Sequence, residues 1–500
     1  HAQMLANAGI DVVFFDCTNG TLTYKDAYTK LLKVWEQARR DGVKTPQIVF
    51  ILNFGATKAS LTEITELYNE LYKPGLYKDL WFMWNGKPLI MAYPNVLTRK
   101  FKPSDISPSD PDERLKNEML DFFTFRPGQP DYVNGPSRND QWGWLEDYPQ
   151  HGYGMKNDGG FEEVTVGVSQ NASDNSKGHC CAFNQPGSYG RSYTKAKGQS
   201  NDTAAYYYGY NFQEQWSRAF ELNPDLVFVT GWNEWVASKQ NTKDWPNTYA
   251  PYSFVDEYNW EKSRDIEPVK SWGDKGDAYY MQLVSNVREF KGMRVQEKTS
   301  GKKTIRINNP GDWADVKPEY RDYKGDVMHR GSKGQGDSLY YINNTGRNDI
   351  VLSKVARDNN YVYFYVKTAD KLTPKNGPQW MQLWIDSDRD KSTGWQGYDY
   401  VINRVNPGDS AVIEKNTGNS WNWEKAGSAE YFLSGNVLVL KIKRALLNIN
   451  GKELNFEFKW SDNNVSSGNI MDFYVDGDAA PDGRFNYVYS ESAAGSKSKK

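Results

Sequence analysis

Short apolar segments that alternate with amphipathic helices constrain the fold of this chain more than any other feature. The first half holds seven such segments, each the length of one strand: 10–15, 47–54, 88–93, 122–126, 142–148, 164–170 and 226–230. They are mostly continuous apolar runs, which is typical of parallel strands covered on both faces. Helices at about 24–39 and 211–221 separate some of them. We predict an α/β fold, a parallel (β/α)₈ (TIM) barrel whose first strand precedes residue 1, with a doubly wound open sheet as the alternative.

The composition excludes several classes of protein. The 61 Lys and Arg against 63 Asp and Glu give a net charge of −2, whereas a nucleic-acid binder needs a basic excess. No apolar run reaches the roughly 18–20 residues of a membrane-spanning helix. With 18 Trp, 33 Tyr and 22 Phe, the chain is too aromatic to be disordered. A polar, aromatic-rich chain suits stacking on sugars, or else an all-β core filled with structural aromatics.

Beyond about residue 300 the pattern changes to short alternating strands separated by turn residues. These strands are predicted at 361–366, 381–385, 398–403, 437–442, 454–460 and 485–489, a pattern typical of a β-sandwich. We therefore predict a barrel domain over 1–297, a sandwich domain over 304–490 and a disordered tail over 491–500.

Acidic residues stand at the ends of several barrel strands, where (β/α)₈ enzymes carry their chemistry. Hydrolysis of a glycosidic bond needs two carboxyl groups, and we predict Glu234, Glu146 and Asp16 as catalytic. Each has an alternative: a rim salt bridge for Glu234, Asp147 as the inward-facing acid beside Glu146, and a loop cap for Asp16.

Polar and aromatic residues near these strand ends are predicted to bind substrate. They are Trp232, Asn233, Trp235, Arg126, Asn53, Tyr148, His151 and Arg191. The long polar segment 172–210 is predicted to form a wall of the cleft, because loops of this length are usually functional. A solvated insertion is the alternative.

The segments 229–235 (VTGWNEW), 8–16 (AGIDVVFFD) and 263–268 (SRDIEP) together resemble the endo-α-mannosidase family of glycoside hydrolases and its bacterial barrel relatives. The resemblance covers about residues 1–295 and implies retaining hydrolysis. It implies that Glu234 is the base that engages the neighbouring sugar hydroxyl.

One departure from that family concerns the general acid. The family has a second Glu three residues after the first, where this chain has Ala237. The acid must then come from elsewhere. Glu146 is the preferred substitute, and the weaker ones are Asp256, Asp265 and Glu267.

The second domain resembles the carbohydrate-binding modules of family nine, on segments 313–316, 360–366 and 384–400. In sugar-binding members two Trp rings sandwich the sugar, a role open to Trp380, Trp421 or Trp423; other members are structural companions. The alternating carboxylates of Asp386, Asp388 and Asp390 suit Ca²⁺, with a solvated acidic turn as the alternative.

The sequence therefore predicts a monomeric, secreted or periplasmic glycoside hydrolase acting on a complex polysaccharide or glycoprotein glycan. Its location follows from the function and the resemblance. No cofactor is required for catalysis, a structural Ca²⁺ is expected, and neither nucleic acid nor a transmembrane segment is involved. Three cysteines and four histidines predict no disulfide framework and no histidine-rich metal site. The rival hypotheses are a non-catalytic glycan-binding protein with a degenerate barrel and a polysaccharide lyase.

Overall fold

The structure is a computed structural model. It describes residues 1–129, 131–176, 178–234, 238–241, 251–327, 330–333, 340–344, 346–464 and 467–492. The chain divides into two compact units. Unit 1 is His1–Val269 with Asp277–Lys291, and unit 2 is Lys270–Gly276 with Gly292–Lys500.

Unit 1 contains six α-helices and twelve strands among the described residues. The helices are α1 (Ala2–Ala8), α2 (Lys25–Arg40), α3 (Lys58–Leu67), α4 (Glu113–Phe122), α5 (Tyr210–Leu222) and α6 (Ala278–Lys291). The strands are β1 (Val12–Cys17), β2 (Gln47–Leu52), β3 (Met83–Trp84), β4 (Lys87–Ile90), β5 (Thr124–Phe125), β6 (Gly128–Gln129), β7 (Trp142–Gly143), β8 (Tyr153–Met155), β9 (Phe161–Gly167), β10 (Leu226–Thr230), β11 (Lys239–Asn241) and β12 (Tyr252–Phe254).

The predicted (β/α)₈ barrel is wrong. Within the described part of unit 1 the strands form separate small sheets, β1–β2, β3–β4–β5, β6–β7, β8–β9–β10 and β11–β12, and neither a ring of eight parallel strands nor one open sheet. Parallel pairing does occur, in β1–β2, β4–β5, β6–β7 and β9–β10. The strands β5, β6 and β7 are only two residues long because the Pro- and Gly-rich stretch 126–141 cannot sustain a ladder.

Two amphipathic helices cover the β1–β2 pair. Leu32 and Trp35 on α2 and Ile64 on α3 pack with Phe50 of β2 in one buried cluster. Helix α3 begins at Lys58, and the hydroxyl of its N-cap residue Thr57 accepts the N–H of Ser60 at 3.1 Å. This packing holds β1 and β2 in place, and with them the residues at their carboxyl ends.

Unit 2 is built on antiparallel strands. They are β13 (Tyr320–Arg321), β14 (Arg330–Lys333), β15 (Tyr340–Asn343), β16 (Ile350–Arg357), β17 (Tyr361–Thr368), β18 (Gln382–Asp386), β19 (Tyr400–Ile402), β20 (Ala411–Asn416), β21 (Trp423–Ser434), β22 (Val437–Lys443), β23 (Asn455–Asp462), β24 (Asp478–Ala480) and β25 (Tyr487–Ser490), with a short helix α7 (Asp472–Val475).

The predicted two-sheet sandwich is wrong as well. Ten of these strands form one continuous sheet in the order β13-β16-β17-β22-β21-β20-β19-β18-β23-β24, and β25 joins it by pairing with β23. The N–H of Ile350, at the start of β16, donates to Oδ2 of Asp478 on β24 at 2.6 Å. The two ends of the sheet therefore meet, and the sheet is a nearly closed barrel around one apolar core.

The core of that barrel contains one of the tryptophans considered for sugar binding. Trp380 is fully buried in it, and its Nε1 donates to the carbonyl oxygen of Thr373 at 3.1 Å. At the start of the predicted tail 491–500, Glu491 is ion-paired with the buried Arg357. Residues 493–500 of that tail lie outside the described residues. Among the described residues no helix is long and apolar enough to cross a membrane.

Candidate functional site

Two segments that are distant in sequence, 231–234 and 263–267, lie side by side after β10. The N–H groups of Ile266 and Glu267 both donate to the carbonyl oxygen of Trp232, at 3.0 and 2.9 Å. The structure thus brings together the two sequence motifs that follow the last strand of the predicted barrel.

Side chains extend this pairing. Nδ2 of Asn233 donates to Oε2 of Glu267 at 2.8 Å, and the N–H of Glu234 donates to Oδ1 of Asp265 at 2.6 Å. Asn233 and these two acids therefore hold the backbone that carries Glu234. Their polar atoms are engaged in positioning that backbone.

The Glu234 carboxylate is held by a buried arginine. Nη2 of Arg264 lies 2.7 Å from Oε2 of Glu234 and 2.8 Å from Oδ1 of Asp256. Arg264 is 2% exposed, whereas the side chain of Glu234 keeps 36% of its surface exposed. The ion pair with Arg264 therefore holds the Glu234 carboxylate in place, and the exposed part of the side chain remains accessible to a ligand.

The electrostatic surroundings adjust Glu234 for proton transfer near neutral pH. Burial, assisted by the charges of Asp256 and Asp16, raises the pKa of Glu234 to about 7, although Arg264 opposes this shift. Burial alone would lower the pKa of Arg264, but Asp256 and Glu234 hold it above its usual value. Arg264 therefore stays cationic while Glu234 titrates.

Asp16 and Asn53 lie at the ends of the parallel strands β1 and β2. Asp16 is exposed, and its Oδ1 accepts the N–H of Thr18 at 2.8 Å. Nδ2 of Asn53 donates to the carbonyl oxygen of Thr18 at 3.1 Å. The charge of Asp16 helps to raise the pKa of Glu234, so these two predicted acids are close enough to interact electrostatically.

An aromatic side chain that the sequence reasoning did not single out lies beside the ion pair. The guanidinium of Arg264 is 5.5 Å from the ring centre of Trp144 and 5.7 Å from that of Phe183. Trp144 is half-buried. Its ring also lies 6.0 Å from that of Phe54, so an aromatic side chain with part of its surface accessible lies beside the arginine that holds Glu234.

Trp232 is also half-buried, and its Nε1 donates to Nδ1 of His1 at 2.8 Å. Its ring meets Tyr280 edge-on at 6.0 Å. Trp235, predicted to bind substrate, lies outside the described residues, as does Ala237 at the position of the family's acid.

Glu146 is placed differently from the prediction of a cleft-facing acid. Its side chain is fully buried, Oε1 lies 2.5 Å from Nδ1 of His151, and Oε2 accepts the N–H of His151 at 2.7 Å. The His151 side chain is 47% exposed. Glu146 therefore orients His151 from below, and Tyr148, on the same segment, is half-buried.

The neighbouring Asp147 has the surroundings of a proton donor. It is half-buried, one carboxylate oxygen is enclosed without a hydrogen-bond partner in the described chain, and burial raises its pKa to about 7. Its N–H donates to the carbonyl oxygen of Tyr132 at 2.7 Å. The Tyr132 ring lies 6.3 Å from that of Trp144 and feels the charges of both Asp147 and Arg264.

Arg126 is directed away from this site. Its guanidinium forms a bidentate pair with Glu162, at 2.6 and 2.7 Å. Glu162 is near the start of β9, which is parallel to β10, whereas Glu234 follows the end of β10. Five residues of strand span roughly 16 Å, so the structure does not bring Arg126 to Glu234.

Arg191 supports the site from behind. It is buried, and its guanidinium donates to the carbonyl oxygens of Ser263 and Asp265, at 2.8 and 2.5 Å. The guanidinium also lies 4.4 Å from the ring centre of Tyr279. The 172–210 segment thus anchors the strip of chain that contains Arg264 instead of offering Arg191 to substrate.

The acidic loop predicted to bind calcium is partly assembled. Carboxylate oxygens of Asp386, Asp388 and Asp399 lie within 4.8 Å of one another. Asp390 is outside that group. Its Oδ1 accepts hydrogen bonds from the N–H and the hydroxyl of Ser392. Nζ of Lys391 already pairs with Asp386 at 2.6 Å. Calcium at this loop stays a prediction.

Unit 2 also has an aromatic pocket. The ring of Trp421 meets that of Trp395 edge-on at 4.4 Å and stacks on Trp384 at 5.8 Å. Nε2 of Gln382 and Oδ1 of Asn464 in its lining are enclosed without a hydrogen-bond partner among the described residues. The cavity that they enclose is about 10 Å³, room for one water and not for a sugar ring, so only the half-buried ring of Trp421 is accessible to a glycan here.

No protein-family model matches this sequence, and no curated protein is significantly similar to it. The endo-α-mannosidase resemblance therefore depends on the short motifs at 8–16, 229–235 and 263–268. Two of these motifs, 229–235 and 263–268, meet in the structure around Glu234.

Sequence reasoning missed Arg264 and Trp144. The signal for Arg264 is an arginine inside the 263–268 motif, which the resemblance pairs with the motif that contains Glu234. Trp144 lies two residues before Glu146 in an aromatic run, and its position beside Arg264 depends on contacts between distant segments.

Proposed function

We propose that unit 1 hydrolyses a glycosidic bond in a complex glycan, with Glu234 as the general base. The observation that carries this proposal is the carboxylate of Glu234, which is partly exposed, ion-paired with the buried Arg264 and titrates near neutrality. A base must be ionised at the working pH and able to reach the proton that it removes. The Arg264 ion pair favours the ionised form, and the exposed part of the side chain provides access.

The general acid in this proposal is Asp147 and no longer Glu146. A buried Glu146 whose two oxygens accept from His151 has no free path to a leaving group. Asp147 is adjacent, is half-buried and holds its proton up to about pH 7. Proton donation to the glycosidic oxygen requires such a raised pKa.

The remaining groups bind sugar in this proposal. Asp16 and Asn53 offer polar atoms at the neighbouring strand ends, and Trp144 offers a ring face. In unit 2, the half-buried ring of Trp421 offers a further ring face to the polymer. Because polysaccharides of this kind are found outside the cytoplasm, we infer a secreted or periplasmic monomer.

The experiment is a screen of polysaccharides and glycoprotein glycans with the full chain and its Glu234→Gln variant. The parent protein should release new reducing ends, and the variant should lose turnover by about 10²–10⁴-fold while it retains binding. Glu221→Gln is the matched control, since that Glu is 65% exposed on α5. Unsaturated products that absorb ultraviolet light would instead identify a lyase.

A non-catalytic glycan-binding protein is the second candidate. It is favoured by the full burial of Glu146, the residue that the sequence favoured as general acid. In that case glycans bind to the parent protein and to Glu234→Gln, and neither protein turns over any of them. That result would overturn the hydrolase proposal.

A further inference from the structure

Five aspartates converge where the two ends of the unit 2 sheet meet. Asp322 follows β13 and Asp349 precedes β16 at one end of the sheet, while Asp478 on β24 and Asp482 just after it belong to the other end. Asp326 follows Asp322 in the loop before β14. Five acids from three separate stretches of chain therefore share one region.

Their carboxylate oxygens are spaced as cation ligands. One oxygen each from Asp322, Asp326 and Asp482 lies within 4.8 Å of the others, and the same holds for Asp326, Asp349 and Asp478. Calcium binds oxygen at about 2.3–2.6 Å, so two ligands of one ion are separated by up to about 5 Å. Asp326 belongs to both sets.

A second observation points to a ligand. Both carboxylate oxygens of Asp326, Oδ2 of Asp322 and Oδ1 of Asp349 are enclosed from solvent, and no donor among the described residues reaches them. Ordinary polar groups in an interior are hydrogen-bonded, and buried carboxylates are paired or bind metal. Four oxygens of this group of aspartates lack that compensation.

Two nearby lysines do not neutralise the negative charge of these carboxylates. Lys459 is buried beside Asp322, Asp478 and Asp482, but its Nζ donates to the carbonyl oxygen of Pro481, and burial lowers its pKa to about 7. Lys324 acts on Asp349 from the solvent side. Burial and mutual repulsion raise the pKa of Asp326 well above its usual value.

We propose that these aspartates bind Ca²⁺, and that the ion joins the two ends of the sheet. An all-oxygen, carboxylate-rich set suits a hard cation. Mg²⁺ is held mostly through its waters, which enclosed oxygens do not accommodate, so Ca²⁺ is the better match. The ion complements the single hydrogen bond from Ile350 to Asp478 that closes the sheet.

The test uses the full chain stripped with EDTA and then titrated with CaCl₂, followed by thermal unfolding. Calcium at about 100 times its dissociation constant should raise the unfolding temperature of unit 2 by roughly 5–10 °C. Asp326→Asn should abolish that shift, and in EDTA it should unfold at a higher temperature than the parent because it removes a carboxyl group whose burial without a partner costs free energy. Asp388→Asn, at the other acidic group, should keep the shift.

A second measurement uses Tb³⁺ as a calcium analogue, and it needs only the parent protein. The Tyr487 ring is close enough to Asp322 and Asp326 to feel their charges, so tyrosine excitation should sensitise Tb³⁺ emission that CaCl₂ then quenches. An unfolding temperature that calcium leaves unchanged overturns the proposal. So does a calcium shift that is kept in Asp326→Asn and lost in Asp388→Asn.

Discussion

Nη2 of Arg264 lies 2.7 Å from Oε2 of Glu234, and the same nitrogen reaches Asp256 at 2.8 Å. One buried guanidinium is thus ion-paired with two carboxylates, and one of these, Glu234, is partly exposed to solvent. Glu234 is consequently fixed in direction while its pKa stays near 7, so the relationship supplies both the geometry and the electrostatics that a base requires.

Arg264→Met should shift the pH dependence of turnover. The rate that depends on ionised Glu234 falls as pH drops through about 7 in the parent protein. Removal of the neighbouring cation raises the pKa of Glu234 further, so this limb should move to higher pH by about 1–3 units. The profile of kcat/KM against pH measures it, and an unmoved limb would mean that Glu234 is not the base.

The same variant should also be less stable. Asp256, whose side chain is only 15% exposed, would be left without its partner, and loss of one member of a buried pair costs about 3–5 kcal/mol. Urea unfolding measures this loss. Arg264→Lys, which keeps the charge, should recover part of the stability and of the pH profile.

Asp147→Asn and Glu146→Gln should separate the two candidates for the acid. A substrate with a good leaving group, such as a nitrophenyl glycoside, does not need protonation, whereas a natural glycan does. Asp147→Asn should therefore lose about 10²–10⁴-fold on natural glycans and much less on the aryl glycoside. Glu146→Gln should change both rates to a similar, smaller extent, and the reverse pattern would return the acid role to Glu146.

Arg191→Met should act on turnover and leave substrate binding largely unchanged. Arg191 holds the carbonyl oxygens of Ser263 and Asp265, and displacement of this strip by about 1 Å can cost 10²-fold in rate. We expect kcat to fall by that order with little change in KM. A large rise in KM at constant kcat would show that Arg191 contacts the substrate, as the sequence predicted.

Trp421→Ala should weaken binding of the chain to insoluble polysaccharide. The ring forms one wall of the aromatic pocket, and its loss should reduce affinity on the order of 10-fold, which corresponds to about 1.4 kcal/mol. Co-sedimentation measures it, with Tyr361→Ala on β17 as the control. Equal retention of both variants would exclude Trp421 as a glycan contact.

The metal-free protein should lose stability as pH rises from about 4 to 7. Burial raises the pKa of Asp322 and Asp326 well above the usual value, so the folded state holds protons that the unfolded chain releases in this range. Folding stability therefore falls with rising pH. Urea unfolding in EDTA at pH 5 and pH 7 should show a smaller difference for Asp326→Asn than for the parent protein.

Local patterns located individual elements well. The apolar run 226–230 is β10, the periodic run at 24–39 is α2, and the six strands predicted after residue 300 map onto strands of unit 2. These features depend on residues close in sequence. Both fold predictions failed at the next level, because strand pairing depends on contacts between distant segments.

The site divides in the same way. The sequence by itself determined where carboxylates stand at the ends of apolar strands, as Glu234 and Asp16 do, and the resemblance marked 229–235 and 263–268 as related motifs. Only the tertiary structure decided which of them work together. In the folded chain Glu146 is hydrogen-bonded to His151, and Arg126 is ion-paired with Glu162. Arg264 is ion-paired with Glu234, and five aspartates come together where the ends of the unit 2 sheet meet. Exposure, pairing and pKa depend on what packs around a side chain, and that is set by segments far away along the chain.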